Sequence, residues 1–495
     1  MMLRRILSIF VYLAVHGTVL AAPPEVARLA VTGLENQSVT AVDWAPDGNL
    51  ALAGPAGLWL GKSAPTGGHI WQTYWHDGLN RPGAVLLQDD KATLVLQTAE
   101  LSRLIDWNAD GTGDLSEVVS SSWGLNVGPP DQGTAPRALF RRDGSTLLAF
   151  ASAAGNWAQR NPVPLPPKDE HFTWIPRWAG CLVLLAKDGR TTSVVAAGFS
   201  QVTALASGPE GQVFVLDAHS PWGAPAVYQL EVNAWYGNPE SLSQLPPPAT
   251  AKGKTKSTQA KAAPGPPSAQ FPLALLPPSV CEHPSSLAWV RLPGSGPNGD
   301  LIIGDASGGR LARVRLYGEG DHLKGCAGPW LSSSELAPGI NALAPSPDGA
   351  SLLAGLKSGA GVVLPTEPAA FHLTELEIRD GWLECHFSSP LAQEVIDKAG
   401  DWPLAQWPLV PGRNPGEPQL VRSVRHIIEP EGTGVSFLLP PGMPPQALLA
   451  VDFRSLRSGS GDRLQVSQFF LSAQFTEPAR TAPTPAPGAD SAKKP

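Results

Sequence analysis

Residues 106–117 read D-W-N-A-D-G-T-G-D-L-S-E, with oxygen-bearing side chains at positions 1, 3, 5, 9 and 12 and a glycine at position 6. That is the ligand spacing of a calcium loop of the EF-hand type. Four carboxylates, Asp106, Asp110, Asp114 and Glu117, repel one another within one turn unless a hard cation neutralises them. The expected calcium ligands are Asp106, Asn108, Asp110, the Thr112 carbonyl, Asp114 and Glu117. The competing reading is a metal-free turn whose Asp and Asn side chains accept from their own backbone amides. The flanks exclude a helix-loop-helix hand, because residues 93–97 and 101–105 are short β-prone runs and residues 118–123 lack a helical period. The loop is expected on strands, at a rim, as a stabilising clip.

The elements that carry it recur. A short apolar strand, a turn with an acidic residue before glycine, and a second apolar strand appear at residues 41–52, 203–215 and 341–354. Weaker copies lie at 83–96, 137–150 and 286–304. Six such units predict an all-β protein, a six-bladed β-propeller whose blades bury their faces only by stacking around an axis. Glycine and proline, 51 and 52 of 495 residues, agree with many short strands joined by turns. From residue 371 alternation around Arg379-Asp380-Gly381 predicts a hairpin, and later apolar runs complete a small Ig-like β-sandwich.

The expected organisation is a signal peptide over residues 1–22, a propeller over 25–368, a sandwich over 370–476 and a disordered tail over 477–495. Arg4 and Arg5, an apolar stretch to about Leu20 and a small-residue cleavage site make the first segment an export signal, so a periplasmic or secreted protein with no membrane span after cleavage is expected. Residues 245–270, rich in Lys, Pro and Ala, predict a disordered insertion. The net charge of −7 and the lack of a basic stripe interleaved with aromatics exclude a nucleic-acid partner. Cys181, Cys281, Cys326 and Cys385 permit three pairings, Cys281–Cys326 among them, and buried free thiols equally. No Cys-x-x-Cys-His, Gly-x-Ser-x-Gly, Walker loop or His-Glu-x-x-His occurs, which excludes covalent haem and the common hydrolase and nucleotide sites.

Several stretches together resemble the exported propellers related to glucose/sorbosone dehydrogenases. They are Trp75-His76-Asp77-Gly78-Leu79, the strand and Asp-rich loop of residues 101–111, residues 198–217, Ala234-Trp235-Tyr236-Gly237-Asn238-Pro239, residues 301–305 and 309–314, and the appended segment 376–390. The resemblance implies a quinoprotein-like site using pyrroloquinoline quinone and calcium to oxidise a sugar or aldehyde. Among the histidines on predicted loops, a catalytic set of His76 and Asp77 with Asp217 and His219 is expected, the histidine as general base and the aspartate orienting it. Two departures matter. The family's Arg-Asn turn is replaced by Phe199-Ser200-Gln201-Val202-Thr203, and the strand that should end Asp-Asn-x-Gly ends Asp217-Ala218-His219-Ser220. The expectation is therefore a calcium-stabilised propeller with an eroded redox site that binds a protein or carbohydrate partner, with an active sugar dehydrogenase as the alternative. His171 and His283 are further loop histidines that could face the propeller's centre.

Overall fold

The computed structural model describes residues 24–121, 136–151, 178–239, 268–364, 371–397 and 402–475, less positions 66, 67, 90, 142, 293, 319, 321, 403 and 465. The expected signal peptide, His171, most of the insertion and the tail lie outside these residues.

Each repeat unit is the inner hairpin of a four-stranded antiparallel sheet. Sheet one comprises Ala41–Trp44, Leu50–Gly54, Gly57–Ser63 and His69–Trp75; sheet two comprises Ala84–Asp89, Ala92–Leu96, Leu101–Ile105 and Leu115–Ser120. Sheet three has Arg137–Phe140, Thr146–Ala149, Cys181–Leu185 and Thr192–Ala197; sheet four has Val202–Ser207, Val213–Asp217, Ala226–Gln229 and Ala274–Leu275. Sheet five has Pro284–Val290, Asp300–Asp305, Arg310–Tyr317 and Lys324–Ser332. Sheet six joins Ile340–Pro345, Leu352–Leu356 and Gly359–Leu364 to Glu25–Arg28 from the start of the chain, Arg28 pairing Gly361. The innermost strands neighbour one another in cyclic order, so the six sheets form a closed, propeller-like ring.

The inner hairpins turn where the acid-glycine pairs predict. Asp47, Asp143 and Asp348 accept the amide two residues on, and Gly48, Gly144 and Gly349 take left-handed φ of 86°, 83° and 71°. The strands between are apolar on both faces, as burial between neighbouring sheets demands. Because every sheet is antiparallel, its first and third turns face one end of the ring. Its middle turn and the connection to the next sheet face the other, here called the mouth.

The remaining chain forms a second apolar core between two sheets. One is Leu373–Arg379, Trp382–Phe387, Gly434–Leu438 and Arg425–Ile428 in that hydrogen-bonded order. The predicted hairpin turns at Asp380 and Gly381, both at positive φ, the signature of a type I′ turn. The facing sheet is not independent. Gln468–Gln474 pairs with the outer strand of sheet five at Cys326 and Ala327, so one eight-stranded sheet runs from the ring into the second core. Ser472 Oγ also accepts the Leu275 amide of sheet four, and Arg315 donates to the Leu373 carbonyl. All four cysteines are free and buried. The suggested Cys281–Cys326 pair does not form, since Cys281 packs in the core under sheets four and five and Cys326 in the second core.

Candidate functional site: the ring channel and its mouth

The six innermost strands enclose a channel of about 300 Å³. In sheets four, five and six a β-bulge falls at the same place, beside Thr203, Ser285 and Asn341. A bulge re-aims a side chain out of the pleat. Here it sets a polar residue of an otherwise apolar strand in the channel wall. Ser285 Oγ donates to the Ile340 carbonyl of sheet six, and Asn341 Nδ2 to the Val39 carbonyl beside sheet one. Thr40 Oγ1 reaches the Pro82 carbonyl, and Arg137 Nη1 reaches the Gly83 carbonyl at 3.3 Å. These bonds tie adjacent sheets together at the mouth end of the channel.

Two charged side chains line the wall, Asp43 on sheet one and Arg137 on sheet three. Asp43 accepts the Leu87 amide at 2.9 Å, yet burial outweighs that bond and raises its carboxyl to about 6. Burial likewise lowers the Arg137 guanidinium. Arg137 retains some accessible surface because it opens onto the channel, but protein encloses it elsewhere. The sequence reading missed both residues. The available signal was a charge inside an inner strand, in Ala41-Val42-Asp43-Trp44 and at the head of residues 137–140, where the other units are apolar or small.

At the mouth, Asp217 has no exposed surface. Its Oδ2 accepts the Ser200 amide at 2.9 Å, and its Oδ1 the amides of Gln201 and His219 at 2.7 and 3.2 Å. The turn that it holds is filled from behind: Phe199 stacks on Tyr236 with centroids 4.2 Å apart, and Asn238 Nδ2 donates to the Phe199 carbonyl. Residues 234–239 therefore support the turn instead of lining a ligand site. Asp217 was expected to orient a base; it is a turn lock whose oxygens face backbone amides.

Asp305 repeats the arrangement one sheet on, accepting from the amides of Glu282, His283 and Ser307. His219 follows Asp217 at the mouth. Burial lowers its pKa, Asp217 opposes that and His283 adds to it, so the imidazole is neutral near pH 7, with a buried Nδ1 that has no protein partner. His76 and Asp77 are exposed, on the connection from sheet one to sheet two. Among the described residues no hydrogen bond or ion pair joins them to Asp217 or His219, so the expected quartet divides into an exposed pair and the buried Asp217 with the half-buried His219.

The Asp106 loop lies at the end of the ring opposite the mouth, between the third and fourth strands of sheet two. Asp106 is 2% exposed and accepts from the amides of Asp110 and Gly111. Asp110 accepts from Thr112, and Asp114 from Trp107 and Asn108. Asn108 Oδ1 accepts from Asp110, and its Nδ2 bonds Asp110 Oδ2. Glu117 lies on the strand Leu115–Ser120, opposite Arg103, and pairs with that guanidinium at 3.1 Å. The expected six-ligand calcium set does not converge: the strand pleat takes Glu117 to Arg103, and backbone amides occupy the aspartates. Among the described residues no three His, Cys, Asp or Glu side chains gather as a metal site. As it stands, the loop is held by its own amides.

No protein-family model matches the chain, and no curated protein matches it. Solved structures to which it is similar include a putative oxidoreductase (glucose dehydrogenase) from Thermus thermophilus, at 18% identity over 69% of this chain and 100% of that one, TM-score 0.45. Another is the PQQ-bound aldose sugar dehydrogenase of Streptomyces coelicolor, at 14% identity over 70% and 98%, TM-score 0.46. A third is the holo PQQ domain of a pyranose dehydrogenase from Coprinopsis cinerea, at 12% identity over 70% and 96%, TM-score 0.47.

Proposed function

We propose that this chain is an exported binding or assembly module with the architecture of a quinoprotein-like dehydrogenase and without its catalysis, its partner a protein or a carbohydrate. The observation that carries the reading is Asp217, with both carboxylate oxygens engaged by three backbone amides. Three amides take three of the carboxylate's roughly four acceptor positions, which favours holding the turn over orienting a base. Export rests on the charged and apolar start of the chain, and among the described residues no helix is long and apolar enough to cross a membrane.

Pyrroloquinoline quinone would supply a two-electron acceptor, and its carboxylates call for several cations at one pocket. Arg137 is the one cation among the described residues lining the channel, so the residues present do not fit that group. At the Asp106 loop the acid expected as the last calcium ligand, Glu117, is instead paired with Arg103. A second reading, a sugar dehydrogenase with a rearranged site, draws on His219, whose neutral ring and unpartnered Nδ1 suit a proton acceptor.

The two readings separate when purified protein is incubated with the quinone and calcium, and quinone retention and dye reduction are measured over a panel of sugars. The expected outcome is neither retention nor reduction. Sugar-dependent turnover that is lost in His219→Ala replaces the first reading with the second.

A further inference from the structure

The side-chain bonds that tie the sheets together around the channel leave a gap. Ser285 reaches sheet six, Asn341 reaches sheet one, Thr40 reaches sheet two, and Arg137 reaches back from sheet three to sheet two. Among the described residues no wall side chain makes such a bond from sheet three to sheet four or from sheet four to sheet five. In that arc three buried polar atoms have no protein partner: Arg137 Nε, Thr203 Oγ1 and Ser286 Oγ.

Arg137 is the most demanding of these. A guanidinium presents five N–H donors and keeps its charge in proteins. Among the described residues only the Nη1 donor has a protein acceptor, the Gly83 carbonyl. No carboxylate forms an ion pair with Arg137 among the described residues, and Asp43, the other charge on the channel wall, is turned to the Leu87 amide. A half-buried cation without a counter-charge is costly, and removal of its proton does not relieve it. Thr203 stands on the neighbouring inner strand, where a bulge at its position interrupts the pairing, and its hydroxyl is a donor without an acceptor.

We propose that the channel is a binding site for a small monocarboxylate, seated between Arg137 and Thr203. The planar fork of a guanidinium matches the two oxygens of a carboxylate, and the Thr203 hydroxyl supplies a further donor. A channel of about 300 Å³ holds such an anion with its hydration. The channel lining includes neither Asp217 nor the mouth histidines, so the site stands whether or not the chain has any redox chemistry.

The test is titration of the purified full chain with sodium acetate, and with sodium chloride at equal ionic strength, at pH 7, followed by calorimetry and thermal melting. Acetate is expected to bind saturably and raise the melting temperature, with chloride failing to reproduce it. Arg137→Gln is expected to weaken acetate binding by about tenfold or more. In carboxylate-free buffer this variant should melt no lower than the wild type, because the uncompensated charge is gone. Thr203→Val is expected to weaken acetate binding severalfold while leaving the fold intact. It carries the mutational test if Arg137→Gln does not fold. Lack of saturable acetate binding by the wild type overturns the proposal, as does chloride binding as tightly as acetate. Unchanged affinity in a folded Arg137→Gln or Thr203→Val protein overturns it equally.

Discussion

Sheets four and five contain the same device with opposite electrostatics. In each, the second strand ends in an aspartate, Asp217 or Asp305, paired with the first residue of the innermost strand, Val202 or Pro284. In each, the carboxylate accepts two amides from the turn before that strand and one from two residues beyond itself. The neighbours differ. Five residues after Asp305 stands Arg310, whose guanidinium lies 2.8 Å from the carboxylate; five after Asp217 stands the buried Trp222. Burial raises both carboxyls, and for Asp217 it prevails over the amides. For Asp305 the Ser307 hydroxyl and amide, the Glu282 amide and Arg310 outweigh burial and hold the group below its usual range. The hydrogen-bond task is positional and common to both sheets, whereas the charge state is set by the neighbours.

Removing the locks should give the largest effect. Asp217→Ala and Asp305→Ala each leave three backbone amides without their acceptor, and each is expected to cost about 3–5 kcal/mol in urea denaturation. A cost under about 1 kcal/mol at either position would break the equivalence of the two sheets.

The electrostatic difference should appear as opposite pH slopes. Asp217 has a folded pKa above its unfolded value, so its contribution to stability is present at acid pH and is lost as pH rises through the folded pKa. Asp305 has a folded pKa below its unfolded value, so its contribution is present above about pH 4 and is lost as pH falls. The stability gap between wild type and Asp217→Asn should therefore narrow as pH rises. The gap to Asp305→Asn should widen over the acid range, and slopes of the same sign would refute the contrast.

The smallest effects belong to the Asp106 loop, a third carboxylate with the same habit on an outer hairpin. Asp106→Ala is expected to cost about 1–2 kcal/mol, for two amides on a more exposed element. Glu117→Gln should stay within about 0.5 kcal/mol, because its pair with Arg103 is largely solvated. Calcium should leave the melting temperature unchanged. A saturable rise that both substitutions abolish would make these acids ligands and separate them from Asp217 and Asp305.

Much of this organisation was readable in the chain. The acid-glycine pairs marked the inner hairpins, and Asp380-Gly381 marked the type I′ turn, because turn geometry depends on a few consecutive residues. The sites were less readable. The residues of the Asp106 loop have calcium-ligand spacing, but spacing does not reveal that the pleat carries Glu117 to Arg103. Asp217 next to His219 suggested an acid-base pair; only the folded turn shows the Ser200, Gln201 and His219 amides converging on the carboxylate.

The sequence by itself determined an all-β chain of repeated hairpins, since alternation, apolar runs and left-handed glycines act locally. Tertiary structure decided which side chains meet. Glu25–Arg28 closes the ring against Gly359–Leu364, and bulges turn Thr203, Ser285 and Asn341 inward. The same closure sets Asp43 and Arg137 into one channel. The physical reason is that ring closure pairs residues hundreds of positions apart, and the resulting burial and partnership determine whether a charged side chain serves as a lock, a pair or an unmet donor.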